Sequence, residues 1–381
     1  MARKELDFGE QVSRRRFLAI GAGVVGSASL LAACGSDSTS TSTSTSTGTS
    51  TAGASLDVGG AKQLTLVNWG GSSNDAMLDA WAKPFEKETG VKITAVNPTD
   101  YGKIRSQVES GNVTWDVVDV EGWFLYAGQD EGLLEPLDTK TLGVTESDFV
   151  STIPDPLMRD GVVNYLTAYV IAYRKDAKQH PTNWEEFFDP KAVPGKRMLY
   201  NWPYGMLELA LLGDGVPFDQ LYPLDVDRAF AKMDAIKKDL VFWNTGAESQ
   251  QALVSGSADF VVPWNNRAGF LIQGGEPIEI EWNQNLQIRG GMVIPKGAPN
   301  AQAGQAFIAK SLQPQAQADM AKGSGYGPVI EAANDLVDES IRPWISTTPE
   351  NLEKTVGFID DKWWAENLTE MSDRWTKWAS S

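Results

Sequence analysis

Residues 64–96 read LTLVNWGGSSNDAMLDAWAKPFEKETGVKITAV, and the spacing of their apolar positions changes twice along that stretch. Leu64 to Asn68 reads as a short strand. Ser73 then predicts the cap of a helix whose Met77, Trp81 and Phe85 fall at i, i+4 and i+8 on one face. Pro84 predicts a kink in that helix and Gly90 its end, and Val91 to Val96 returns to a strand pattern. The alternation continues with a helix over Tyr101 to Ser110, stopped by Gly111, and a strand over Trp115 to Val120. A βαβαβ run of this kind implies a parallel sheet covered by helices.

The pattern resumes beyond an irregular stretch containing Pro154 and Pro156. Strands are expected at Tyr165 to Tyr173, Arg197 to Asn201, Leu240 to Trp243, Asp259 to Pro263, Ile278 to Trp282 and Gly291 to Pro295. Between and after them, helices are expected around Trp184 to Phe188, Leu207 to Leu212, Val226 to Lys238, Ala301 to Leu312 and Gln315 to Lys322. No internal repeat is visible, and the sum is an α/β fold in two lobes. Trp69, Trp123, Trp202 and Trp264 recur where strands hand over to helices. Open α/β sheets bind ligands beyond the carboxyl ends of their strands, which makes these tryptophans candidate site residues.

The chain begins differently. Ser13, Arg14, Arg15, Arg16, Phe17 and Leu18 lead into a Gly-rich apolar run that ends in Leu31, Ala32, Ala33 and Cys34, the single cysteine of 381 residues. These are the parts of a twin-arginine export signal joined to a lipoprotein cleavage box, so residues 1–33 are expected to be removed and Cys34 lipidated. As a helix the apolar run would rise only about 26 Å, short of a roughly 30 Å hydrocarbon core. Gly21 to Gly26 imitate a dinucleotide fingerprint but lack the strand, helix and acidic residue that motif requires. Residues 34–61, with alternating Ser and Thr from Ser38 to Thr47, have nothing to bury and are expected to form a disordered tether. As a flexible coil, the part after Cys34 would hold the body roughly 30 Å from the lipid.

Removing residues 1–33 takes five basic and three acidic side chains from totals of 33 and 50, leaving 28 against 47 and a net charge of −19. So acidic a body is not drawn to nucleic acid or to an anionic membrane surface. With Cys34 given to lipid, no disulfide or thiolate metal site remains, and a lone His180 cannot build a multi-histidine zinc site. No metal and no cofactor are expected. Carboxylates are plentiful, so counting leaves a two-carboxylate hydrolase open.

The body from Gln63 to Ser381 resembles the extracellular solute-binding proteins of ABC importers, in their spermidine/putrescine-like branch. The stretches that carry the resemblance include Asn68 to Gly71, Pro84 to Gly90, Val108 to Asn112 with Trp115 to Val118, Leu221 to Asp227, Trp264 with Asn265, and Pro295 to Pro299. It implies a two-lobe, type II periplasmic-binding-protein-like fold with two crossover hinge strands, here expected near Tyr169 to Arg174 and Gly290 to Pro295. Lobe 1 is then 62–170 with 290–345, and lobe 2 is 171–289 with 346–381. The resemblance carries over Trp69, Trp123, Trp264 and Asn265 as binding residues; an indole face holds an alkyl chain or a cationic head. The positions where polyamine binders of this branch place ammonium-fixing acids correspond here to Gly205 and Gly290, with Arg289 adjacent.

Glu121, at the end of the third strand, is a candidate replacement anchor, and Gly70 and Gly71 open a helix whose backbone N–H groups suit an anionic group. The expected function is a lipid-anchored, monomeric solute receptor that hands a small polar molecule to a membrane permease without covalent chemistry. A polyamine-like amine is the first expected ligand class, and an amino-acid-like zwitterion held by Arg289 is the second. A sugar stacked on tryptophan, a secreted hydrolase and an adhesive surface protein are the alternatives.

Overall fold

Three left-handed glycines punctuate the first half of the sheet. Gly70 (φ 81°) opens a helix at Gly71–Met77, Gly90 (φ 74°) closes its continuation at Lys83–Thr89, and Gly111 (φ 68°) closes a helix at Tyr101–Ser110. In this computed structural model, which describes residues 56–381, they separate strands β1 (Gln63–Val67), β2 (Lys92–Val96) and β3 (Val117–Glu121). β1 pairs in parallel with both β2 and β3, as the alternation requires. Two local expectations change. The helix starts at Gly71, so Ser73 lies inside its first turn and donates its hydroxyl to the Gly70 carbonyl. Pro84 produces no simple kink: a π-helical turn at Leu78–Ala82 precedes it. A wider turn relieves the clash of the proline ring with the preceding carbonyl, and buried Trp81 donates from that turn to the Ala316 carbonyl at 3.0 Å.

The second half repeats the design with β5 (Arg197–Tyr200), β6 (Leu240–Trp243) and β7 (Phe260–Val261), again parallel, and with a buried helix at Met206–Gly213. Two long antiparallel strands join the halves: β4 (Gly161–Arg174) and β8 (Ile278–Val293), paired along most of their length. The nine-stranded sheet runs β2-β1-β3-β8-β4-β7-β5-β6, with β9 (Thr355–Phe358) beside β8.

β8 corrects the expectation of two separate strands at Ile278 to Trp282 and Gly291 to Pro295. The polar middle of this segment interrupts the strand pattern in sequence, yet Asn285 and Gln287 are fully buried and their amide N–H groups are bonded. Asn285 donates to the carbonyls of Trp282 and Asn351, and Gln287 donates to Asn285 and to the Ser346 carbonyl. Leu286 and Ile288 alternate with them and are buried among apolar groups.

The C-terminal helix, Asp361–Ala379, is capped by the Asp360 side chain at Trp363 N. It packs on a helix at Gly122–Asp130 after β3 and also reaches the other half, where Trp364 donates to Glu208 at 2.5 Å and Trp375 to Asn201 at 2.9 Å. Cys34 and most of the expected tether lie outside the described residues. Its last part, 56–61, is corrected: Leu56, Val58 and Ala61 pack against the core, and Ala61 N bonds the Val58 carbonyl. No helix among the described residues is long and apolar enough to cross a membrane.

Candidate functional site

The strand ends converge on a cavity of ≈ 400 Å³. Trp69 after β1, Glu121 ending β3, Tyr200 ending β5 and Trp264 after β7 all line it, while β4 and β8 supply the floor through Tyr165, Thr167, Ile288 and Arg289. Its remaining wall comes from Gly70, Gly71 and Ser73, Thr245 to Ala247, Arg267 and Tyr326. A larger open depression of ≈ 850 Å³ lies among residues 140–148, 306–314 and 330–335. It contains no strand end and no aromatic ring, so the chemistry is concentrated in the smaller cavity.

Charge is distributed unevenly there. Arg289 is 3% exposed in its side chain, and its Nε donates to Asp361 Oδ2 at 2.6 Å. Its Nη1 donates to the Pro154 carbonyl at 2.5 Å and lies 3.4 Å from the Tyr126 hydroxyl. Burial opposes the guanidinium charge, and Asp361 and Tyr126 outweigh that effect, holding it above its ordinary range. Asp361 itself is raised by burial and pulled back by Arg289 and by the Tyr204 hydroxyl, which donates to Oδ1 at 2.5 Å. A carboxylate with two such donors stays ionised. Arg289 therefore borders the cavity already paired with a carboxylate, its Nε taken by Asp361 and its Nη1 by the Pro154 carbonyl.

Arg267 differs. It lies in a helix at Asn265–Gln273, its Nη1 is 3.4 Å from Ser72 Oγ, and its guanidinium sits 5.8 Å from the Trp264 ring. Its Nε is buried without a hydrogen-bond partner, and no carboxylate lies within ion-pair distance of it among the described residues. Gly246 makes room for it, since a Cβ there would meet Nε at 2.4 Å.

Glu121 is the facing acid. Its Oε2 accepts from Trp123 Nε1 at 2.7 Å and from the Tyr101 hydroxyl at 3.4 Å, and burial raises its carboxyl against those bonds. Behind it, Asp119 accepts from the Tyr165 hydroxyl at 3.0 Å; its second oxygen is buried unpartnered, and burial raises its carboxyl well above the usual range. Tyr165 stacks on Tyr326 with centroids 4.0 Å apart.

Three candidates from the sequence do not reach the cavity. Trp123 is 5% exposed and points back into the core, where it serves as Glu121's donor. Trp202 lies in the turn after β5, because that strand stops at Tyr200 and gives the wall to the tyrosine. Asn265 is fully buried: its Oδ1 accepts from Thr167 Oγ1 and Ala168 N at 2.8 Å, and its Nδ2 donates to the Trp344 carbonyl. It pins Thr167 rather than a ligand. Trp69, Gly70, Gly71, Glu121, Trp264 and Arg289 are brought together.

At the two glycines that the resemblance set against ammonium-fixing acids, a Cβ at Gly290 would lie 2.0 Å from Tyr165 Cζ, and one at Gly205 would lie 2.2 Å from Tyr169 Cε2. Tyrosine rings occupy the space that acids would need. Of the residues missed, Arg267 carried a signal, since it stands one helical turn after Trp264; Tyr165, Tyr200 and Tyr326 carried none that separates them from core tyrosines.

A family model described as bacterial extracellular solute-binding protein matches residues 80–352. The gamma-aminobutyric acid-binding protein of Pseudomonas aeruginosa is 32% identical over 327 residues, 84% of this chain and 92% of its own. The spermidine/putrescine-binding periplasmic protein of Escherichia coli is 22% identical over 272 residues, 68% of this chain and 76% of its own. A solved structure described as a GABA receptor superposes with a TM-score of 0.78 at 39% identity, covering 83% of this chain and 97% of its own. The shared architecture is the two-lobe type II arrangement that the resemblance implied.

Proposed function

The chain belongs to the bacterial extracellular solute-binding protein family, and on that premise we propose that it captures a short amino-acid-like zwitterion, of the γ-aminobutyrate class, for an ABC importer. The observation that carries this reading is the pairing of Arg289 with Asp361, which leaves Arg267 as the cation without a carboxylate partner beside a cavity that Glu121 also lines. The ligand carboxylate goes to Arg267, and the ammonium goes to Glu121 among Trp69, Tyr200 and Trp264. Gly70 and Gly71 bring backbone close to the solute from the first lobe. A polyamine would need a second acid, and the tyrosines over Gly205 and Gly290 leave no place for one. Nothing in the cavity favours a sugar over a charged solute.

Around this site the lobes are 62–170 with 290–345 and 171–289 with 346–381, hinged where β4 and β8 cross. Cys34 carries the lipid that tethers a monomeric receptor outside the cytoplasm, and the solute passes unchanged to a permease. Calorimetric titration with 4-aminobutyrate, putrescine and spermidine tests the ligand. Tightest binding of 4-aminobutyrate without turnover is expected; tightest binding of spermidine would sink the zwitterion reading. Cys34→Ala is expected to abolish incorporation of labelled fatty acid while solute binding persists.

A further inference from the structure

Asp361 lies outside the residues matched by the family model and does not line the cavity, yet it is the ion-pair partner of Arg289, which does. It stands in the first turn of the C-terminal helix, where the helix dipole favours a carboxylate. Its Oδ2 holds Arg289 Nε at 2.6 Å and its Oδ1 accepts from Tyr204 at 2.5 Å. Gly122 admits it, since a Cβ there would come within 2.1 Å of Oδ2. Arg289 in turn precedes Gly290, the register partner of Glu121 across the β3–β8 pair. Without Asp361, the guanidinium would be a second uncompensated cation bordering the cavity, with Glu121 as the nearby acid to recruit. That would add a positive charge and engage the group that receives the ammonium.

We propose that Asp361 is a specificity-determining residue that acts through Arg289, neutralising it so that the site selects zwitterions over dianions. The inference rests on the zwitterion reading above, but its test does not depend on that reading being right. Putrescine, 4-aminobutyrate and glutarate form a charge series of similar length, from dication to dianion. Each is titrated calorimetrically into the purified full chain as wild type, Asp361→Asn, Asp361→Glu and the double variant Arg289→Met with Asp361→Asn.

Asp361→Asn is expected to move the glutarate-to-putrescine affinity ratio at least about tenfold toward glutarate. Asp361→Glu is expected to keep the wild-type order, and the double variant, with both charges gone, to return toward it. An unchanged ratio in Asp361→Asn, with all three ligands weakened equally, reduces Asp361 to a structural residue and overturns the proposal. So does a double variant that stays shifted. Should Asp361→Asn fail to fold, Arg289→Met leaves the opposite charge and is expected to move the ratio toward putrescine; no movement there overturns the proposal equally. A wild type that prefers putrescine removes the zwitterion reading alone, because the shift along the series still tests Asp361.

Discussion

The strand floor around Arg289 and the helical wall around Arg267 face one cavity with the same side chain. On the floor, Arg289 is nearly buried and held between Asp361 and the Pro154 carbonyl. On the wall, Arg267 has one long contact to Ser72 and a buried Nε without a partner. Arg289 has a carboxylate partner in the resting protein, whereas Arg267 has none among the described residues. A buried charge is tolerated only when paired, which fits the nearly buried Arg289, while Arg267 is partly exposed and its charge remains solvated.

Breaking the floor pair tests that contrast most severely. Arg289→Met or Asp361→Asn alone leaves an unpaired buried charge and is expected to cost about 3–5 kcal/mol in denaturant unfolding without ligand, and the double variant much less than the two singles together. Glu208 extends the comparison to a buried acid without a cation. Burial pushes its carboxyl from 4.5 up to about 7, against bonds from Tyr222 and Trp364. Because the folded value lies above the unfolded one, its contribution is fully present below pH 4.5 and lost as pH rises through about 7. Relative to Glu208→Gln, wild-type stability is expected to fall across that window by on the order of 3 kcal/mol, read from unfolding free energies between pH 4 and 8; a flat difference would show that Glu208 titrates alike in the folded and the unfolded protein.

The wall is expected to behave in the opposite way. Arg267→Met should leave apo stability within about 0.5 kcal/mol and weaken 4-aminobutyrate by about 2–3 kcal/mol, measured by unfolding and titration calorimetry on the same preparation. Trp264→Ala should lower affinity by about 1–3 kcal/mol with little change in the apo melting temperature, as for a cleft wall packed edge-on to Tyr200 and Trp243. A loss of apo stability instead would make Trp264 a core residue.

Legibility in the sequence followed the range of the interactions. Gly90 and Gly111 end helices through their own backbone conformation, and both were readable locally. The parallel strands were readable from their periods. β8 was not, because its buried Asn285 and Gln287 donate to the carbonyls of Asn351 and Ser346, which are distant in the chain. Asp361 was invisible for the same reason: its partner Arg289 stands 72 residues earlier. Trp123 and Trp264 looked alike as strand-end indoles, and only the direction each side chain takes separates a donor within the core from a wall of the site.

The central claim is that the two ends of the solute are held by two different groups, Arg267 and Glu121. Titrating 4-aminobutyrate, butyrate and butylamine into wild-type protein tests it most directly, since each truncated ligand lacks one charge. The zwitterion is expected to bind at least about tenfold more tightly than either truncated ligand, with Arg267→Met abolishing the advantage over butylamine and sparing that over butyrate. Butylamine binding as tightly as 4-aminobutyrate would contradict the account, because Arg267 would then hold nothing.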